Sequence, residues 1–194
     1  PTAPEGAARL ADTALAQPAL LLFEVAMGRW LAAQGVRVDA LIGHSIGEFS
    51  AACLAGALDL RDALRCVRVR ARAMAAQPRG AMAAVRAAAE TVESRLPPEL
   101  EIAALNAPAL CVVAGPEAAL EAWLASAAAE GLEATRLKVS HAFHSAAMEP
   151  AMAPLREAMA GARFRPAGAT LYACASGRPH DAASLRDPDY WARQ

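Results

Sequence analysis

The chain has 194 residues, enough for one sizeable hydrophobic core or one core with a small appended subdomain. It is 56% hydrophobic but only 5% aromatic, so alanine, leucine and valine build the interior, a profile that excludes intrinsic disorder. A formal net charge of −1 leaves no overall basic footprint, so no nucleic-acid partner is expected. Cys53, Cys66, Cys111 and Cys174 are scattered without C-x-x-C or metal spacing and read as reduced packing residues, with no metal site. The most apolar window, 18–35, carries Glu24 and Arg29 and is too short to span a bilayer, so no membrane partner is expected. No export signal is visible, and a cytoplasmic location is expected. The chain opens on PTAPEG and stops at DYWARQ without a polar tail, which suggests a piece of something longer.

In chain order, Pro18 suits the first turn of a helix whose apolar stripe is Leu21, Leu22, Val25 and Leu31–Ala32, ending at Gly35. A short buried strand is expected over 36–43, then helices over 45–58 and 61–77. From residue 81 the pattern becomes strand 81–87, helix 89–96, strands 101–107 and 110–115 flanking Pro108, helix 116–131 and strand 133–140. That β-α-β-β-α-β order is ferredoxin-like, and residues 81–140 read as a small subdomain inserted into a larger α/β body. The expected division is therefore 1–80 with 141–194 against 81–140. A helix over 148–161 and a strand over 169–176 complete the body.

GHSIG (43–47) fits G-x-S-x-G and follows a strand and precedes a helix, the context of a nucleophile elbow. Ser45 sits at its apex, and the amides of Ile46 and Gly47 open the helix and offer positive partial charge to an oxyanion. The alternative is a plain helix start, because Ser45 and Glu48 also form an S-x-x-E capping box; Glu48 reads as structural rather than catalytic.

The helix over 61–77 carries five arginines. At about 100° per residue, Arg61, Arg65, Arg68 and Arg72 share one face, while Arg70 lies among Ala63, Cys66, Val67, Ala73, Met74 and Gln77. A buried guanidinium requires an anion. Either an internal Asp or Glu supplies it, or Arg70 is a fork for a substrate carboxylate. Two of the four histidines, His141 and His144, flank Phe143 in SHAFHS (140–145), where the chain leaves the last strand of the insertion; His180 sits in a loop and reads as solvated.

GHSIGE, Arg70 in VRVRARAM, the GAMAAV run, NAPALCVVAG and VSHAFHS occur in this order along the chain. Together they resemble the acyltransferase domain of modular type I polyketide synthases, and are similar to the malonyl-CoA:acyl carrier protein transacylases. The resemblance covers essentially the whole chain. It implies an α/β-hydrolase-like body with a ferredoxin-like small subdomain. It further implies Ser45 as nucleophile, His144 as general base, the Ile46 amide as oxyanion donor and Arg70 as carboxylate clamp. His44 and Asn106 match positions lining the family's site, and His141 becomes a pocket wall. Phe143 is expected to fill the space beside the acyl C2, so that malonyl is accepted and methylmalonyl clashes.

The family's G-Q-G-S/A-Q motif, which supplies a second oxyanion contact, and its C-terminal segment are not among these residues, so the domain is expected to be incomplete at both ends. The implied reaction is ping-pong: malonyl-CoA acylates Ser45, and the phosphopantetheine thiol of an acyl carrier protein takes the acyl group. No tightly bound cofactor is implied; the partners are coenzyme A thioester, acyl carrier protein and neighbouring ketosynthase and linker domains. Two other readings stay open: a serine hydrolase, esterase or patatin-like, using the same elbow, and a non-catalytic docking domain.

Overall fold

The structure is a computed structural model that describes Gly6, Arg9, Leu10 and residues 12–194. It is an α/β protein of two compact units, one formed by Pro1–Ala75 with Ala151–Gln194 and the other by Ala76–Pro150.

In the first unit, α1 (Thr13–Ala33) starts where the Asp12 side chain accepts from the Ala14 amide at 2.9 Å. This cap opens the helix before Pro18, which therefore lies inside it and not in its first turn. Its buried line is Thr13, Gln17, Leu21 and Val25, a strict i, i+4 row. Leu22 and Leu31, expected in the stripe, are exposed, as are Phe23, Met27 and Trp30. The strand expected over 36–43 contracts to β1 (Ala40–Ile42), paired in parallel with β6 (Thr170–Tyr172). Helix α2 (Gly47–Leu54) and helix α3 (Leu60–Ala75) follow β1. After a 3₁₀ turn over Ala146–Ala151 come α6 (Met152–Ala160), β6, and two short helices, α7 (Ala182–Arg186) and α8 (Pro188–Arg193). Leu21, Val25, Phe49, Val67, Leu155, Met159, Leu171 and Trp191 form the core. On α3 the arginines sort as their spacing predicts: Arg61, Arg65, Arg68 and Arg72 lie outside the core, and Arg70 is buried.

The second unit contains β2 (Ala81–Val85), α4 (Ala89–Glu93), β3 (Glu101–Ala107), β4 (Leu110–Gly115), α5 (Glu117–Ala129) and β5 (Ala134–Arg136). Its sheet runs β3-β4-β2-β5, antiparallel at every pair. The period-2 alternation of side chains explains both faces. Ala81, Ala83, Val85, Cys111 and Val113 pack with Val92, Leu120 and Trp123, whereas Met82, Val112 and Ala114 pack with Leu137, Val139, Ala142 and Phe143. This unit runs ten residues past the expected boundary at 140, because the segment after β5 stays on it. Leu137 donates its amide to the Met82 carbonyl at 2.8 Å, Gly80 to the Ser140 carbonyl at 3.2 Å, and Ala146 to the Glu101 carboxylate at 2.8 Å.

Candidate active site

The GHSIG turn joins β1 to α2 with no slack. A Cβ on Gly43 would lie 2.0 Å from the carbonyl carbon of Gly47 and 2.3 Å from the Glu48 nitrogen, so only glycine lets strand and helix approach this closely. Ser45 has φ +52°. A left-handed conformation in a non-glycine residue costs on the order of 1–3 kcal/mol and persists only where its surroundings impose it. Among the described residues the one other non-glycine position with positive φ is His144, at +57°. These are the two residues for which the family resemblance implies the roles of nucleophile and base.

The turn's amides divide. Gly47 donates to the His44 carbonyl at 3.0 Å and Glu48 to the Ser45 carbonyl at 3.0 Å, whereas the Ile46 amide takes no part in these bonds. Of the two amides expected to face an oxyanion, that of Gly47 is thus engaged within the turn. Ile46, in αR conformation, occupies the N-cap position of α2, and no side chain caps that helix. The capping-box alternative for Ser45 therefore does not hold. His44 is exposed beside it.

The Ser45 hydroxyl accepts a hydrogen bond from Arg70 Nη2 at 3.0 Å. Arg70 is only 3% exposed; its Nη1 donates to Gln17 Oε1 at 2.6 Å, and its Nε has no hydrogen-bond partner. Gln17 is held in turn by Thr13 Oγ1 at 3.1 Å and Met74 Sδ at 3.4 Å. Among the described residues no carboxylate forms an ion pair with Arg70. Burial lowers its pKa to about 10, against which the Glu48 charge acts, so the guanidinium stays cationic at neutral pH. Among the described residues the charge of Glu48 acts on Arg70 without a direct ion pair, and the buried guanidinium faces the serine hydroxyl.

Glu48 is more deeply enclosed, at 1% exposure. Its Oε1 accepts from the Cys174 amide and from Tyr190 Oη at 2.6 Å, and its Oε2 has no hydrogen-bond partner. Burial pushes the carboxyl above its usual range, opposed by Tyr190, the Cys174 amide, Gln194 and Arg70. The Gln194 side-chain amide donates to the Ser45 carbonyl.

In the second unit, His141 is buried and its Nδ1 meets Ser140 Oγ at 2.7 Å. Phe143 lies 5.7 Å from the His141 ring and packs on Met82, Val112 and Ala114. Ser145 Oγ donates to the Ala142 carbonyl at 2.6 Å, closing the tight turn that carries His144. Asn106 is exposed on the edge strand β3. His180, read as solvated, is half-buried: its ring stacks 6.2 Å from Trp191, stands edge-on to Tyr190 at 4.7 Å, and its pKa is lowered by burial. Burial also pushes the Cys66 thiol up to about 11, which suits packing and not nucleophilic chemistry. Among the described residues no group of three or more His, Cys, Asp or Glu could hold a metal ion, and no helix is long and apolar enough to cross a membrane.

Three residues of this constellation escape sequence reasoning: Gln17, Tyr190 and Gln194. Gln17 carries a signal, being a polar residue on the i, i+4 line that buries Leu21 and Val25. Asp187 followed by Pro188 is an N-cap and first-turn signature that marks the start of α8, the helix carrying Tyr190.

A left-handed serine on a tight strand-to-helix turn, at a helix N-terminus, is the local geometry of serine-centred acyl chemistry. Residues 3–194 match the family model described as acyl transferase domain, and the chain belongs to that family. It is 40% identical over 188 residues to polyketide synthase GfsA of Streptomyces halstedii, spanning 95% of this chain and 2% of that protein. The acyltransferase domain from the second module of the salinomycin polyketide synthase superposes with a TM-score of 0.88 at 39% identity, over 95% of this chain and 44% of that one. An acyl-carrier-protein-S-malonyltransferase from Bartonella henselae gives 0.85 at 31% identity, over 96% and 64%. The chain thus spans a small part of the curated relative and less than two thirds of either solved chain.

Proposed function

We propose that this chain is part of an acyltransferase domain that loads a malonyl extender unit from malonyl-CoA onto an acyl carrier protein in polyketide biosynthesis. One observation carries the choice of acyl group: the buried Arg70 guanidinium, charged and without a carboxylate partner among the described residues, donates to the hydroxyl of Ser45. A hydrolase of simple esters has no use for such a cation. A donor bearing a free carboxylate completes it, by charge-assisted hydrogen bonds that an acetyl group cannot make.

Ser45 Oγ attacks the thioester carbon as His144 takes its proton, and the Ile46 amide holds the oxyanion. The carbon–sulfur bond breaks, coenzyme A leaves as the protonated thiol, and malonyl-Ser45 remains. The carrier-protein thiol then attacks in the same manner and Ser45 regains its proton, giving ping-pong kinetics. The left-handed backbone of Ser45 and that of His144 mark each as a constrained position, which supports a functional role for each. Phe143 limits the substituent at C2, and His141, His44 and Asn106 line the acyl and thioester path. The strand order β3-β4-β2-β5 supports a ferredoxin-like small subdomain, and the parallel β1–β6 pair feeding the Ser45 turn supports an α/β-hydrolase-like body. The reading brings with it a cytoplasmic location, no resident cofactor, and ketosynthase and linker neighbours.

The test is incubation of the full-length protein with labelled malonyl-CoA, with and without acyl carrier protein. A stable malonyl group on Ser45 that moves to the carrier thiol is expected. Rapid release of free malonate, unaffected by carrier protein, favours the serine hydrolase instead.

A further inference from the structure

Glu48 is buried without being part of the proposed chemistry, and its contacts are unusual in their reach. One carboxylate oxygen on the second residue of α2 takes the Cys174 amide, just past β6, and the hydroxyl of Tyr190 on α8. These partners lie 126 and 142 residues away in sequence. At the end of the same helix, Gln194 donates its side-chain amide to the carbonyl of Ser45, which also accepts the Glu48 amide. The backbone of the left-handed serine is therefore gripped from two sides, by its own helix and by α8. Glu48 is the group that joins those two sides. Trp191, between Tyr190 and Gln194, is fully buried and donates to the Leu185 carbonyl at 2.9 Å, which anchors the middle of α8 in the core between the two contacts.

We infer that Glu48 is a positioning residue for Ser45: through Tyr190 it fixes α8 so that Gln194 clasps the Ser45 carbonyl and holds the nucleophile in its left-handed conformation. This rests on the reading of Ser45 as the nucleophile. It assigns Tyr190 and Gln194 to the same device, acting in series with Glu48 and not on the substrate. Because the device acts on the serine backbone, its loss lowers the rate of attack and leaves substrate affinity alone.

The test uses the full-length protein and a fluorophosphonate, which the serine oxygen attacks at phosphorus with loss of fluoride, whatever acyl donor the enzyme prefers. Tyr190→Phe removes the latch donor, and Gln194→Ala removes the clasp. Each is expected to lower the maximal phosphonylation rate per folded molecule about tenfold with an unchanged half-saturating concentration, and the double variant is expected to be no slower than either single. Multiplying losses in the double variant, or an unchanged rate in either single, overturns the inference. A role confined to stability also overturns it, since that lowers the folded fraction without changing the rate per folded molecule. Should Tyr190→Phe fail to fold, Gln194→Ala decides alone: an unchanged rate overturns the clasp and a slowed one upholds it. Failure of the unmodified protein to take label from malonyl-CoA, with the phosphonylation pattern intact, removes the malonyl assignment and leaves the latch standing.

Discussion

The second unit keeps its formal charges outside, where Arg86 pairs with Glu133, Arg95 with Glu130, and Arg136 with Glu117 and Glu121, all in solvent. Its sheet is covered on both faces by apolar side chains. The first unit does the opposite with Glu48 and Arg70, the two buried charged residues among the described ones, and both sit within a few residues or one hydrogen bond of Ser45. Exposed pairs contribute little, whereas burying a charge without a direct ion pair is expensive. The contrast therefore marks where the fold tolerates cost, and that place is the turn bearing the candidate nucleophile.

The sharpest way to break this contrast is at the turn itself. Gly43→Ala forces a Cβ into the Gly47 backbone, and a loss of about 3 kcal/mol in unfolding free energy is expected by denaturant titration. A well-tolerated alanine would mean that the close approach is not essential. Next in size, Phe143→Ser in the second unit is expected to raise methylmalonyl loading relative to malonyl about tenfold, because one methyl in a pocket is worth about 1–3 kcal/mol. An unchanged ratio in competition assays would move selectivity elsewhere. Smallest of all, Arg136→Ala removes both of its exposed ion pairs and should change neither the melting temperature nor acyl loading beyond an ordinary surface substitution. A large drop in melting temperature would show that the second unit also depends on its charges.

Features fixed by local pattern are legible in the amino-acid sequence alone. Arg70 falls on the buried face of α3 because helical periodicity places it there, and β3 and β4 match their expected limits because Pro108 and Gly115 punctuate them. Strand ends elsewhere are overrun. Residues 36–43, 133–140 and 169–176 contract to three-residue strands, since an apolar run does not reveal where pairing stops. The Ser45 turn is legible because glycine spacing encodes it. What surrounds it is not, because Gln17 with Arg70, Tyr190 with Glu48 and Gln194 with Ser45 are 53, 142 and 149 residues apart. No local period connects residues at such separations. Even the resemblance that implies roles for Ser45 and Arg70 leaves the partners of those residues unnamed.

The central claim is that the buried cation beside Ser45 selects a carboxylated acyl group. It is tested most directly by offering equal malonyl-CoA and acetyl-CoA and measuring by mass spectrometry which acyl group Ser45 carries, in the unmodified protein and in Arg70→Ala. The unmodified protein should carry malonyl almost alone. Arg70→Ala should lose malonyl loading by about 10- to 100-fold, the worth of charge-assisted hydrogen bonds to a carboxylate, and shift its preference towards acetyl. A malonyl-to-acetyl ratio that stays the same in both proteins would contradict the account.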